Sequence, residues 1–291
     1  MNNQITLNTL LDAHTEQEQL KKITKVILSK IETEKIICFG SITRKVESSS
    51  CFITRENPDN PVLNSYYFLV VPKKEEHLSD YFIQQRLEQE TKHLANLTVL
   101  AHRVNDINRD LKDHGTFFKT IFQNGLLLYD DQKEFLVFPG LNTDRQNFIA
   151  RRASLWNKWV EISENFLTGA QFYAHHNNYG LAMFMLHQTM KHCYCGMIKV
   201  LTGYQSESNG LARLLKLAEN IIPDTPLEFS QKTPEDARLT RLLLNGFSNG
   251  RYNEKYKATK EEVSLLTSRI EKILAFANQV CKERIKSLQY S

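Results

Sequence analysis

The 291-residue chain is predicted to be an α+β protein with two domains, a small mixed α/β domain followed by an all-α antiparallel helical bundle. Its length suits two domains of about 100–150 residues each. Short apolar segments alternate with helical patterns up to residue 138, whereas every clear segment from residue 145 onward has helical periodicity. The turn-rich stretch between them predicts domains at 1–138 and 145–291.

The first half contains helix and strand signals in alternation. The apolar pattern predicts a helix over 16–33, and residues 36–39 predict a buried strand that runs into a turn at Gly40 and Ser41. A polar, proline-containing stretch then predicts a loop. The remaining predicted elements are a strand over 66–71, a helix over 77–94 and a strand over 97–104.

The second half contains five helical patterns in succession. They cover 147–177 (as one or two helices), 180–202, 208–221, a segment that begins at Thr233 and Pro234, and 259–287. Thr233 is a suitable N-cap with proline at the first helical position, and Thr259 with Glu262 forms the pattern of a capping box. Consecutive helices of this length predict an antiparallel bundle.

Composition excludes few functional classes. The chain has 37 basic and 33 acidic residues, a net charge of +4 that permits nucleic-acid binding without favouring it. No apolar run approaches the roughly 20 residues of a membrane span, and the N-terminus lacks the pattern of a signal peptide. A cytoplasmic location without membrane contact is therefore expected.

Residues 36–41, followed by the strand at 65–71, resemble the minimal nucleotidyltransferase fold. Residues 115–130 resemble the helix and strand that close this fold. In that family the Gly-Ser turn lets a triphosphate approach the backbone, and two aspartates at alternate positions of the next strand hold Mg²⁺. Here those two positions hold Ser65 and Tyr67. The resemblance therefore implies a degenerate domain, in which Mg²⁺ is expected only if nucleotidyltransferase activity remains.

A third carboxylate is expected on the following strand, where the sequence has Ala101 or Arg103. Glu56 and Asp59 in the proline-containing loop are the alternative source of carboxylates. A loop of this kind is a poor platform for metal ligands, which need supported geometry.

Two segments of the second half resemble the HEPN family of helical bundles. One is 179–188, with Leu186-His187-Gln188, and the other is 251–262. Family members with ribonuclease activity use an arginine, then four to six residues, then a histidine, at an interface between two protomers and without a metal. Arg251 stands at the arginine position, but Tyr256 stands where the histidine is expected.

The resemblance implies a non-catalytic nucleotide- or RNA-binding protein with regulatory function, a pseudoenzyme linked to toxin–antitoxin or defence systems. Its phosphate-binding residues would be Gly40, Ser41, Arg251 and Tyr252, and a homodimer through the bundle is expected. The alternative is a metal-independent ribonuclease that uses Arg251 and Tyr256 at a dimer interface. A second alternative is an active nucleotidyltransferase.

Structural roles for the same residues stay open at this stage. Gly40 could serve a tight turn through its backbone angle. Arg251 could cap a helix end and pair with Glu254 or Glu261. His187 lies among Met and Leu residues, which is typical of a buried, hydrogen-bonded histidine.

Overall fold

A computed structural model describes residues 7–42, 48–50, 54–55, 64–112, 116–134, 136–137, 145–205, 210–222, 233–253 and 255–290. The chain divides into two compact units, Met1–Gly140 and Leu141–Ser291. The predicted fold class is confirmed, since the first unit contains a mixed sheet with helices and the second is helical. In the described part of the chain, no helix is long and apolar enough to cross a membrane.

The first unit is built around a six-stranded sheet. Its elements are α1 (Leu7–Lys30), β1 (Thr33–Ile42), β2 (Ser48–Ser50), β3 (Thr54–Arg55), β4 (Ser65–Pro72), α2 (Asp80–Thr91), β5 (Asn96–Ala101), α3 (Val104–Lys112), α4 (Phe117–Asn124) and β6 (Leu126–Asp130). The strand order is β3-β2-β1-β4-β5, and β6 also pairs with β1. Only β4 and β5 run parallel among these described pairs.

Strand β1 is the centre of the sheet. Along its whole length it pairs with β4 on one side. Its other side is shared, because β6 pairs with residues 35–38 and β2 with residues 40–42. This arrangement buries every residue of β1, including the charged Glu34 and Lys35.

Helices cover both faces of the sheet. Apolar residues of α1 and α2, with Ile31 just after α1, are buried against one face: Leu20, Ile23, Ile27, Ile31, Ile83 and Leu87. On the other face the Phe117 ring of α4 lies 6.2 Å from the Phe39 ring of β1. The strand predicted over 97–104 ends at Ala101, and Val104 begins the helix α3, which the sequence did not indicate.

The second unit consists of α5 (Arg145–His175), α6 (Tyr179–Thr202), α7 (Leu211–Ile221), α8 (Pro234–Tyr252) and α9 (Lys260–Tyr290). Helix α6 is central and packs against the other four. The predicted caps are confirmed: Thr233 accepts a hydrogen bond from the Asp236 amide, and Thr259 and Glu262 bond reciprocally at 2.9 and 3.2 Å.

Three glycines bring the backbones of α6 and α8 close together. A Cβ atom added to Gly250 would lie 2.7 Å from the carbonyl oxygen of Gly180. One added to Gly246 would lie 2.7 Å from the carbonyl oxygen of Met183. Real side chains do not approach a backbone so closely, and the contact therefore depends on glycine at these positions. It places the last two turns of α8 directly beside the start of α6.

Candidate functional site

The Gly-Ser segment of the first unit lies inside a strand. Gly40 pairs with Tyr67 of β4 and Ser50 of β2, and β1 ends only at Ile42. The predicted turn is therefore wrong, because two neighbouring strands hold this segment extended. Gly203 is the glycine with positive φ among the described residues, so a special backbone angle does not explain Gly40 either. Phosphate binding by Gly40 and Ser41 stays a prediction.

A bulge in β1 separates Ser41 from the predicted metal positions. The register with β4 shifts between Cys38 and Gly40, which leaves Phe39 as the additional residue. Beyond it Ser41 pairs with Tyr66. Cross-strand partners share a face and successive residues alternate, so Ser41 and Tyr67 lie on opposite faces of the sheet.

The residues at the metal positions do not fit Mg²⁺. In the register of β4 with β5, Ser65 pairs with Asn96 and Tyr67 with Thr98. These are neutral side chains, whereas Mg²⁺ prefers carboxylate oxygens. Within the residues that the structure describes, no group of three or more His, Cys, Asp or Glu could hold a metal ion. Glu56 and Asp59 lie outside those residues.

The placement predicted for the third carboxylate position is wrong by several residues. Ala101 pairs with Val70, far along the strand from Ser65, and Arg103 follows the end of β5. The guanidinium of Arg103 donates hydrogen bonds to the carbonyl oxygens of Lys73 and Leu78, both at 2.7 Å. Arg103 therefore fastens the β4–α2 connection, which is a structural role.

Arg251 lies near the end of α8 in a cluster of aromatic rings. Its Cζ atom is 4.5 Å from the ring centroid of Phe184 and 4.7 Å from those of Phe247 and Tyr252. Its Nε atom donates a hydrogen bond to the Phe247 carbonyl oxygen at 3.1 Å. The ion pair considered with Glu261 does not form, and Glu254 lies outside the described residues. Stacking against rings thus holds the guanidinium in place.

The rings and cations around Arg251 form one surface, which we call the α6–α8 patch. It consists of Phe184 and Lys191 on α6 and of Phe247, Arg251 and Tyr252 on α8, above the buried His187. Phe247 is 43% exposed and Tyr252 is 78% exposed, which is high for large aromatic side chains. The patch therefore offers aromatic faces and positive charge to the solvent together.

His187 connects the two helices beneath this surface. Its side chain is buried, its Nδ1 atom lies 2.9 Å from the Leu243 carbonyl oxygen, and its ring lies 5.7 Å from that of Phe247. A carbonyl oxygen accepts only, so Nδ1 carries the proton. Burial lowers the pKa of His187 below its ordinary value. The prediction of a hydrogen-bonded, partly buried histidine is confirmed.

Tyr256 fastens the segment after α8 back onto that helix. Its hydroxyl group donates a hydrogen bond to the Leu242 carbonyl oxygen at 2.6 Å. Burial, aided by the charge of Glu262, raises the pKa of this hydroxyl group. A phenol with a raised pKa is a poorer general base than free tyrosine, which already titrates at about 10.

Of the residues in the α6–α8 patch, only Arg251 and Tyr252 were predicted from the sequence as binding residues. One available signal was the spacing of Phe184, His187 and Lys191, which lie three and four residues apart and so share a helix face. The other was the pair Gly246 and Gly250, four residues apart, which is typical of close helix contacts.

Comparison with known proteins finds a match for most of the second unit. Residues 156–280 match the model of the HEPN domain. No curated protein matches the chain. A crystal structure described as a nucleotidyltransferase-like protein from Exiguobacterium sibiricum 255-15 is similar at 11% sequence identity, with 91% of this chain and 78% of that chain covered and a TM-score of 0.30. Arg251 and the helices α6, α7 and α8 thus lie in the part of the chain that is similar to the HEPN domain.

Proposed function

We propose that this protein binds a nucleotide or RNA without catalysing a reaction, and that the α6–α8 patch is its binding site. The proposal rests on Arg251, which is held among three aromatic rings, two of them exposed. Aromatic rings stack on bases of any sequence, and a guanidinium group binds phosphate through paired hydrogen bonds.

The geometry of Arg251 suits a phosphate group. Its Nε proton is already donated to Phe247, which leaves the donors of the two Nη groups for a ligand. The surrounding rings restrict the guanidinium before any ligand arrives. A restricted side chain loses less conformational entropy on binding, so this arginine should bind phosphate more tightly than a freely moving arginine would.

We propose that the protein does not catalyse a reaction because both catalytic motifs, of the ribonuclease and of the nucleotidyltransferase, lack a residue type that the chemistry needs. A ribonuclease needs a general base whose pKa lies near neutrality. The Tyr256 hydroxyl group instead donates to a carbonyl oxygen and has a raised pKa. The positions corresponding to the Mg²⁺-binding aspartates hold Ser65 and Tyr67, which supports the loss of nucleotidyltransferase activity.

A homodimer through the bundle belongs to the same proposal, because HEPN relatives commonly dimerise in this way. The link to toxin–antitoxin or defence systems is likewise proposed from the family resemblance.

The test is fluorescence anisotropy with a labelled short single-stranded RNA, in Mg²⁺ and in EDTA. We expect equal binding in both. A hydrogen bond to a charged group contributes about 1.5–3 kcal/mol, so Arg251→Gln should weaken binding roughly 10- to 150-fold. The control is Lys272→Gln on α9, a surface cation far from Arg251. Arg269, one turn before Lys272, pairs with Asp236 at 2.8 Å, and Asp236 lies about 22 Å along α8 from Arg251.

Three outcomes would contradict the proposal. Binding that requires Mg²⁺ would revive the nucleotidyltransferase alternative, and transfer of label from a radioactive nucleotide would establish it. Cleavage of RNA that disappears in Tyr256→Phe would establish the ribonuclease alternative. Binding that survives Arg251→Gln but is lost in Ser41→Ala would place the site in the first unit.

A further inference from the structure

The α6–α8 patch contains a second cation that faces the same ring as Arg251. The Nζ atom of Lys191 lies 5.9 Å from the Phe247 ring centroid, and the Cζ atom of Arg251 lies 4.7 Å from it. Neither cation forms an ion pair within the part of the chain that the structure describes. Two cations that lie on neighbouring helices and contact the same ring repel one another mildly. An anionic ligand that contacts both cations would relieve this repulsion.

We propose that Lys191 is a second phosphate-binding residue and that the site takes a single-stranded oligonucleotide spanning at least two phosphates, in preference to a mononucleotide. This inference rests on the proposed function and names the class of ligand for the same site.

On the surface, a cation, an aromatic ring and a second cation are neighbours, as a phosphate, a base and a second phosphate are in a nucleic-acid strand. Each internal nucleotide has a phosphate on either side and a planar base that can stack. Here Lys191 lies on α6 and Arg251 on α8. Both side chains contact the Phe247 ring of α8, which is 43% exposed. A base beside this ring, with the two cation contacts kept in place, would leave its two neighbouring phosphates for the two cations.

The helix contact and the shared ring limit the spacing of the two cations. Lys191 belongs to α6 and Arg251 to α8, and these helices make close backbone contacts at Gly246 and Gly250. The charges cannot be farther apart than the sum of their distances from the ring. A ligand with one phosphate offers a single anionic group to the two cations, whereas an oligonucleotide offers one phosphate to each.

The test is the salt dependence of RNA binding. For single strands each neutralised phosphate contributes about 0.7 to the slope of log K against log salt concentration. Lys191→Gln and Arg251→Gln should each reduce this slope by about 0.7 and together by about 1.4, whereas Lys272→Gln should leave it unchanged. Lys191→Arg should restore the slope, which separates loss of charge from disturbed packing.

Adenosine 5′-monophosphate, added as competitor, tests the preference for an oligonucleotide. We expect it to displace the RNA only at much higher concentration, with an affinity that falls in Arg251→Gln and not in Lys191→Gln. Competition at equal concentration, or an unchanged slope in Lys191→Gln, would overturn this inference while the proposed function stands. Failure of the wild-type protein to bind either ligand would overturn both.

Discussion

The close contact of α6 with α8 makes a quantitative prediction about Gly246→Ala. The new Cβ atom would lie 2.7 Å from the Met183 carbonyl oxygen, whereas ordinary contacts begin at 3.4 Å. The helix backbones would therefore have to separate by roughly 0.7 Å. Such overpacking costs about 1–3 kcal/mol. Alanine recovers about 0.8–1 kcal/mol through its helix propensity, so a net loss of up to about 2 kcal/mol is expected.

Urea unfolding followed by tryptophan fluorescence measures this loss. Trp156 and Trp159, the two tryptophans of the chain, both lie in α5, so the signal reports on the helical unit. The matched control is Gly169→Ala, also inside a helix, where the new Cβ atom would meet the flexible Met185 side chain at 3.4 Å. We expect this variant to be as stable as the wild type or more so.

If Gly246→Ala unfolds at the same urea concentration as Gly169→Ala with an unchanged m value, the close backbone contact at Gly246 does not limit the packing of α6 and α8. A second consequence concerns binding, because Phe247 follows Gly246 directly. Separation of the helices would move Phe247 and Arg251 away from Lys191, and RNA affinity should fall in Gly246→Ala but not in Gly169→Ala.

Three further predictions concern the same unit. Tyr256→Phe removes the hydrogen bond to Leu242 and should lower the free energy of unfolding by about 0.5–1.5 kcal/mol without changing RNA affinity; an affinity loss as large as that of Arg251→Gln would give Tyr256 a ligand contact. Burial lowers the pKa of His187 and His192 below 6.5, so the unfolded chain takes up protons first and the helical unit should lose stability as the pH falls below about 6.5. Urea midpoints at neutral pH and at about pH 5.5 test this, and a higher midpoint at the acidic pH would contradict it. Light scattering should give the mass of two 33.8 kDa chains, whereas a monomer at micromolar concentration would exclude the homodimer.

The sequence predicted the helical unit well because its signals are local. Apolar periodicity and the caps at Thr233 and Thr259 lie within single helices, and each helix appeared near its predicted bounds. The strand β1 was predicted too short because Gly40 and Ser41 have turn propensity. Pairing with β4 and β2 outweighs that propensity, since strand formation depends strongly on tertiary context.

The candidate site was predictable only in part for the same reason. Arg251 and Tyr252 are neighbours in sequence and were found together. Phe247 and Lys191 join them only because α6 and α8 pack at the glycines, and no local pattern pairs residues so far apart along the chain. The bulge at Phe39, which turns Ser41 to the other face, is likewise a property of the assembled sheet.

The position of β6 has a consequence for synthesis on the ribosome. Strand β6 pairs with the centre of β1, and the ion pair between Lys35 and Asp130 joins residues that are 95 positions apart. Translation at about 5–20 residues per second delivers that stretch in roughly 5–20 seconds. Until then the edge of β1 at residues 35–38 lacks its partner, and unpaired apolar edges attract other strands. The nascent first unit therefore passes through an interval in which chaperones can bind it, and that interval ends when β6 emerges.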